Sequence, residues 1–346
     1  MVDLVLERRL HEALTIGGGS PPGTLGEALA YAVFPGGARV RPQLCLEVAR
    51  ACGEASDLAY AAACSIELLH CASLVHDDLP CFDAAELRRG RPSVQRVYGD
   101  AMAVLVGDGL MVQSFYTLAR ASALRPDVGI SPMLTLLEAA GPRVGLVAGQ
   151  AWELERDVQL ADYHRAKTAS LFEAAAALGA LVNGVAATPY VLFGRAFGMA
   201  YQLADDVADV LADANTLGKP TGRDRALGRP SAVDDGDPAA ALDRLAEAAR
   251  AAVDAVPSSA TRASAFDGGD ERGSDGERDG ELRRFAAAVF EALSARLPAN
   301  SRGPRSPVAE PRALAAPEGG GYPRRSHGQI PDPRRRLPRL REDLPR

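Results

Sequence analysis

Along most of the chain apolar residues recur every three to four positions, and they do not alternate with polar ones over any length. That period belongs to helices packed on one face. It predicts a first helix within residues 1–19, ended by Gly17-Gly18-Gly19, and a helical pair from Leu25 to about Gly53. The pair is interrupted by Phe34-Pro35-Gly36-Gly37, a turn by composition. Residues 56–79 carry Ala, Ile and Leu at helical spacing until Leu79-Pro80 ends the run. Further helices are predicted over 96–123, 131–155, 162–184, 190–212 and 237–255. A last one spans Glu281 to Leu297, with Phe285, Val289 and Leu293 at four-residue spacing. Polar loops fall at 88–92 and from Leu217 to Pro230. No strand is predicted, so the fold class is all-α, a helical bundle.

Two segments break the pattern. Asp267 to Gly280, within a stretch of about 264–280, is Gly, Asp, Glu and Arg with almost no apolar residue, and reads as a flexible insertion. Beyond Pro298 periodicity stops, so residues 1–298 read as one domain and 299–346 as a disordered Pro/Arg-rich tail. From Asn300 onward the tail holds eleven arginines against five acidic residues. Such a tail is compatible with contacts to nucleic acid or anionic lipid; plain disorder, with no nucleic-acid partner, is the expectation taken.

Composition adjusts this picture in three places. Among the 346 residues, 47% are hydrophobic and 5% aromatic, which suits close-packed helices rich in Ala, Leu and Val. No run of about 18 uninterrupted apolar residues occurs and the N-terminus lacks the basic-then-apolar order of a signal peptide, so neither a membrane span nor secretion is expected. Cys45, Cys52, Cys64, Cys71 and Cys81 lie in apolar helical patterns without a CxxC pair, and read as reduced residues of a cytoplasmic protein. The net charge is −6, and of 39 basic residues only Lys167 and Lys219 are lysine.

Two acidic clusters carry the chemistry. Asp77, Asp78 and Asp83 lie in His-Asp-Asp-Leu-Pro-Cys-Phe-Asp, and Asp205, Asp206 and Asp209 in Gln-Leu-Ala-Asp-Asp-Val-Ala-Asp. Both sit in apolar helical context. On a helix Asp205 and Asp209 share a face, and carboxylates grouped there repel unless a cation lies between them. Oxygen-only ligands select a hard cation, and Mg²⁺ held by few carboxylates keeps positions for phosphate oxygens. Basic groups surround both clusters: Arg39 and Arg41 upstream, Arg88-Arg89-Gly90 after the first, and Lys167-Thr168, Gln202, Lys219 and Arg229 near the second. Guanidinium forks and lysines beside Mg²⁺ carboxylates suit two diphosphates, one on metal and one on arginines alone. His70 lies seven residues, two turns, before Asp77 on the same face.

These elements resemble the trans-isoprenyl diphosphate synthases, the polyprenyl synthetase family, and most resemble bacterial geranylgeranyl and farnesyl diphosphate synthases. Gly-Gly-x-Arg-x-Arg-Pro, the first aspartate run, Leu-Arg-Arg-Gly, Gly-Gln, Lys-Thr, Gln-x-x-Asp-Asp-x-x-Asp and Gly-Lys-x-x-Gly-x-Asp occur in the family's order, from about residue 22 to 255. The resemblance implies a helical bundle around a central cavity, a Mg²⁺-dependent condensation of isopentenyl diphosphate with an allylic diphosphate, and a homodimer. It implies Mg²⁺ on Asp77, Asp78 and Asp83 and, from the opposite wall, on Asp205 and Asp209. Arg88, Lys167, Thr168, Gln202, Lys219 and Arg229 would meet the allylic diphosphate; Arg89, Arg41 and His70 would hold isopentenyl diphosphate. Three positions depart from the family: Ala38 and Arg229 where lysine is usual, and Glu153 where aspartate is common. Loss of the lysine at 38 weakens that site or shifts its load to Arg39 and Arg41.

The growing tail would run down the helix from the first cluster, so Ala72 and Ser73, with Leu69 deeper, form its floor. Their small size leaves room for a C20 product, geranylgeranyl diphosphate, with the C15 farnesyl product as the alternative. A class I terpene cyclase would have one aspartate cluster and an Asn/Ser/Glu motif. A regulatory synthase subunit would have lost aspartates; only Ala38 favours it.

Overall fold

A computed structural model describes residues 3–17, 19–155, 158–211, 233, 238–258 and 272–297. Lys219, Arg229, residues 264–271 of the expected insertion and the tail beyond 298 lie outside the described residues.

Helices α1 (Leu4–Thr15), α2 (Gly23–Val33), α3 (Val40–Cys52) and α4 (Asp57–Asp77) come first. Asp3 caps α1, its side chain accepting from the Val5 and Leu6 amides at 2.9 and 3.1 Å, and Ser56 caps α4. Next is a two-residue antiparallel ladder, β1 (Leu87–Arg88) with β2 (Arg91–Pro92). Its turn residues Arg89 and Gly90 both have positive φ, 55° and 75°, the turn whose twist matches that of paired strands. The pattern predicted no strand here because four paired residues are too few to show a period of two.

The remaining helices are α5 (Val94–Tyr98), α6 (Asp100–Ser122), α7 (Ser131–Ala140), α8 (Leu146–Trp152), α9 (Leu160–His164), α10 (Ser170–Leu181), α11 (Thr188–Leu211), α12 (Pro238–Asp254) and α13 (Arg272–Ser294). A single π turn, Arg165–Ala169, joins α9 to α10. Three predicted helices are thus divided. Gly99, at φ 85°, separates α5 from α6; Gly141-Pro142 separates α7 from α8; the π turn divides the third. The last helix begins at Arg272, so residues 272–280 are helix and not insertion. Charged side chains can continue a helix in solvent once Leu282, Ala286 and Phe290, all buried, anchor it.

Helix α4 is buried on nearly every side, packing on α6 and α3, and α10 is buried between α3 and α11. Phe172 of α10 meets Phe197 and Tyr201 of α11 at 5.3 and 5.0 Å between ring centres, and Phe197 meets Phe290 of α13 at 4.9 Å. Each buried ring contributes roughly 2–3 kcal/mol through burial. Two glycines allow the close approach that the site needs. A Cβ on Gly149 would lie 2.4 Å from the Lys167 Cα, and one on Gly198 2.7 Å from the Ala169 Cα. Helices α8 and α11 therefore press directly on the π turn.

Arg39 is a buried tie between four elements. Its guanidinium donates to Glu7 of α1 at 2.9 Å, to Glu67 of α4 at 2.5 Å and to the Val33 carbonyl at 2.9 Å. Burial opposes its charge, and the Glu67 and Glu7 carboxylates more than offset that, raising its pKa. These bonds hold Arg39 at φ 51°, a strained value for a side-chain-bearing residue.

Helices α4 and α6 have the length and apolarity of a membrane span, yet α4 directs most of that apolar surface into the protein core.

Candidate active site

The C-terminal end of α4 forms one wall of a cavity of about 260 Å³, and α11 forms another. Asp77 and Asp83 line the first wall, Asp205 and Asp209 the second. The Leu79-Pro80-Cys81-Phe82 loop folds back so that the Asp83 amide donates to the Asp77 carbonyl at 2.9 Å, which keeps the two carboxylates together. The loop is pinned from behind by the Ser93 hydroxyl, donating to the Ala85 carbonyl at 2.7 Å.

The middle aspartate of each cluster turns elsewhere. Asp78 is 2% exposed, is absent from the cavity lining, and accepts from Arg88 Nε at 3.0 Å. Burial raises its pKa, and the Arg88 guanidinium only partly counters this. Asp206 is also buried and accepts from Gln202 Nε2 at 2.6 Å, with His164 Nε2 3.7 Å from its other oxygen. Successive helical residues point 100° apart, which separates Asp206 from Asp205 and Asp209.

Basic and polar groups complete the cavity. Lys167 and Thr168 enter from the π turn, Gln202 from α11, Arg88 from the hairpin and Arg41 from α3. The hairpin is held by Arg91, which stacks on Tyr31 at 3.4 Å and donates to the Phe34 carbonyl at 2.7 Å. Lys167 is ion-paired with Glu153, whose same oxygen accepts from the Tyr163 hydroxyl at 2.7 Å. The Thr168 hydroxyl donates to the Gln202 carbonyl.

A second chamber of about 310 Å³ adjoins the first, and Arg41, His70, Arg88, Tyr201 and Asp205 border both. It adds Ala38, Arg89, Glu67 and Arg296. Arg41 lies over the Phe172 ring at 4.5 Å and the Tyr201 ring at 5.6 Å, and its Nη1 is 3.4 Å from His70 Nε2. Its Nε is buried with no hydrogen-bond partner among the described residues. Burial, and then the charges of Arg41 and its neighbours, lower the His70 pKa well below the usual imidazole value, so this ring is neutral. Arg39 borders this chamber too, but its guanidinium is committed to Glu7 and Glu67, so it does not take up the load that a cation at position 38 would carry.

The chain-length candidates occupy successive depths. Ser73 borders the first cavity, while Ala72 and Leu69 are fully buried in the core.

Five residues important to this geometry were not singled out as site residues from sequence. Gln150 of α8 donates to Asp77 Oδ1 at 3.0 Å and to the Ser73 carbonyl at 3.2 Å, fixing the first wall. Its only signal was the Gly-Gln pair. Glu67 is an acid within an apolar helical run, a readable sign of a buried partner. Tyr163, Tyr201 and His164 gave no local signal; their neighbours come from distant segments.

Four carboxylates on two walls of one cavity are an all-oxygen donor set. Among the described residues no three acidic, histidine or cysteine side chains converge into a closed metal cluster. An all-oxygen donor set of this kind is chemically suited to a hard cation such as Mg²⁺.

The family model for polyprenyl synthetase matches residues 22–234. The chain belongs to the polyprenyl synthetase family. It is therefore an enzyme that transfers prenyl groups. This synthetase is 48% identical to a geranylgeranyl diphosphate synthase of Cereibacter sphaeroides over 255 residues, 73% of this chain and 88% of that protein. It is 40% identical to a farnesyl diphosphate synthase of Geobacillus stearothermophilus over 171 residues, 47% of this chain and 57% of that protein. A geranyltransferase from Helicobacter pylori, solved with magnesium and isoprenyl diphosphate, superposes with a TM-score of 0.67 at 26% identity, covering 83% of this chain and 97% of that one.

Proposed function

We propose that this synthetase condenses isopentenyl diphosphate with an allylic diphosphate, extending it by five carbons to a C20 product, geranylgeranyl diphosphate. The carrying observation is the pair of adjoining chambers, one walled by two sets of aspartates and the other rich in arginine. The first takes the allylic diphosphate. Asp77, Asp83, Asp205 and Asp209 would hold Mg²⁺ there, and Mg²⁺ when bound supplies positive charge to the departing pyrophosphate. Asp78 orients Arg88 toward the same group. Lys167, Thr168, Gln202 and Arg88 bind its phosphate oxygens, and Lys219 and Arg229 are assigned to it from the sequence alone. The second chamber takes isopentenyl diphosphate on Arg41, Arg89 and neutral His70. As the allylic carbon–oxygen bond breaks, the apolar walls beneath exclude water from the electron-poor carbon. The double bond of isopentenyl diphosphate attacks that carbon, and the cation so formed loses a neighbouring proton to the departed pyrophosphate, which leaves the new double bond.

Small residues below the cavity favour C20 over C15, as does the higher identity and longer span of the geranylgeranyl relative. The exposed apolar face of α6 supports a homodimer, and five cysteines without a disulfide support a cytoplasmic location. The test is elongation by purified protein with Mg²⁺, isopentenyl diphosphate and each of three allylic primers. Mass-resolved C20 alcohol after hydrolysis is the expected result; C15 as the end product overturns the length assignment, and no consumption of isopentenyl diphosphate overturns the activity.

A further inference from the structure

We infer that His164 is a positioning residue for the diphosphate-binding wall, acting through Asp206 and Gln202 on Thr168. The inference rests on the reading of the first cavity as a diphosphate site.

The chain of contacts runs from the interior outward. His164, the last residue of α9, is 4% exposed, and its Nε2 lies 3.7 Å from Asp206 Oδ2. Asp206 Oδ1 accepts from Gln202 Nε2 at 2.6 Å, and the Gln202 carbonyl accepts from the Thr168 hydroxyl. Gln202 and Thr168 line the cavity, whereas His164 and Asp206 do not. A carboxylate can only accept hydrogen bonds, whereas an amide has one accepting end and one donating end. Asp206 therefore decides which way round Gln202 sits: amino group toward itself, carbonyl toward Thr168. The donor and acceptor pattern met by a ligand on this wall is set from behind it.

His164 also immediately precedes the π turn that carries Lys167 and Thr168. Its Nε2, 3.7 Å from Asp206 Oδ2 and so longer than a hydrogen bond, sets the start of that turn against α11. A π turn inserts one extra residue into a helix, and such insertions need tertiary support. Gly149 and Gly198 supply the close packing on either side; His164 supplies a polar contact with Asp206.

The experiment is a double-mutant cycle on His164→Ala and Thr168→Ala, with His164→Gln as the variant whose amide can still reach Asp206. Kinetics are read for both substrates, melting temperature for folding, and pyrophosphate affinity by calorimetry with and without Mg²⁺. His164→Ala is expected to raise the KM for the allylic diphosphate about tenfold while leaving that for isopentenyl diphosphate within about twofold. The double variant should be no worse than Thr168→Ala alone, because both changes break one chain. His164→Gln should recover most of the loss. Multiplicative effects in the cycle, or a lowered melting temperature with unchanged KM values, overturn the inference. Should the wild-type enzyme fail to elongate, the proposed function falls, and the pyrophosphate cycle still decides the coupling: non-additive losses uphold it and independent ones refute it.

Discussion

Asp205 and Asp206 are adjacent in sequence and live in different surroundings, one in the cavity wall and one buried against Gln202 and His164. The same split separates Asp77 from Asp78. Replacing Asp77 with alanine removes a buried carboxylate that lines the cavity and accepts from Gln150, so turnover should fall about 100-fold or more while the melting temperature drops only by what one hydrogen bond contributes. Retained turnover in a steady-state assay would refute its role. His70 offers a test in pH. Its folded pKa is depressed by burial and by Arg41, so near pH 7.5 it is neutral whether folded or not. As pH falls below about 6.5 the unfolded chain gains a proton that the folded chain resists, and stability declines. Melting curves between about pH 7.5 and 5.5 should therefore drop less steeply for His70→Gln than for wild type; equal slopes contradict the assignment.

Among the elements, α4 combines three features: Glu67 anchors Arg39, Ser73 borders the cavity with Ala72 buried beside it, and Asp77 ends the helix at the cavity. If Ala72 limits tail length as proposed, Ala72→Phe should shorten the product from C20 toward C15, as read by mass spectrometry of the hydrolysed product. Glu67→Ala leaves the buried Arg39 guanidinium with Glu7 and the Val33 carbonyl, and should cost about 3 kcal/mol in urea denaturation. Most of these elements could be read from sequence, because a 3.6-residue period over ten or more positions is a strong signal. The breaks were harder. Gly99 and Gly141-Pro142 are turn-formers that the surrounding apolar pattern masked, and the π turn has no composition of its own. The hairpin presenting Arg88 and Arg89 was visible only as a polar loop. For the site, residue types and spacing pointed to the aspartates that line the cavity, whereas the inward turn of Asp78 and Asp206 depends on partners that only the tertiary fold supplies.

For the whole molecule, the notable surface is α6. Val104, Leu105, Val112 and Tyr116 are exposed along it, and Val112 is 66% exposed. Apolar side chains exposed in this number on one helix, around the exposed Asp108, suit the homodimer proposed above. The variant Leu105→Glu/Val112→Glu should sediment as a monomer where the wild type sediments as a dimer; an unchanged dimer would place the interface elsewhere. Arg41 matters at this scale too, since its guanidinium, lying over the neighbouring Phe172 and Tyr201 rings, borders both chambers, as Arg88 does. A single positive charge cannot serve two anions at full strength. Whichever substrate arrives first weakens the attraction felt by the other, and thermodynamic linkage makes that penalty equal in both directions. With the substrates placed as proposed above, the two binding events are therefore negatively coupled through the cations they share.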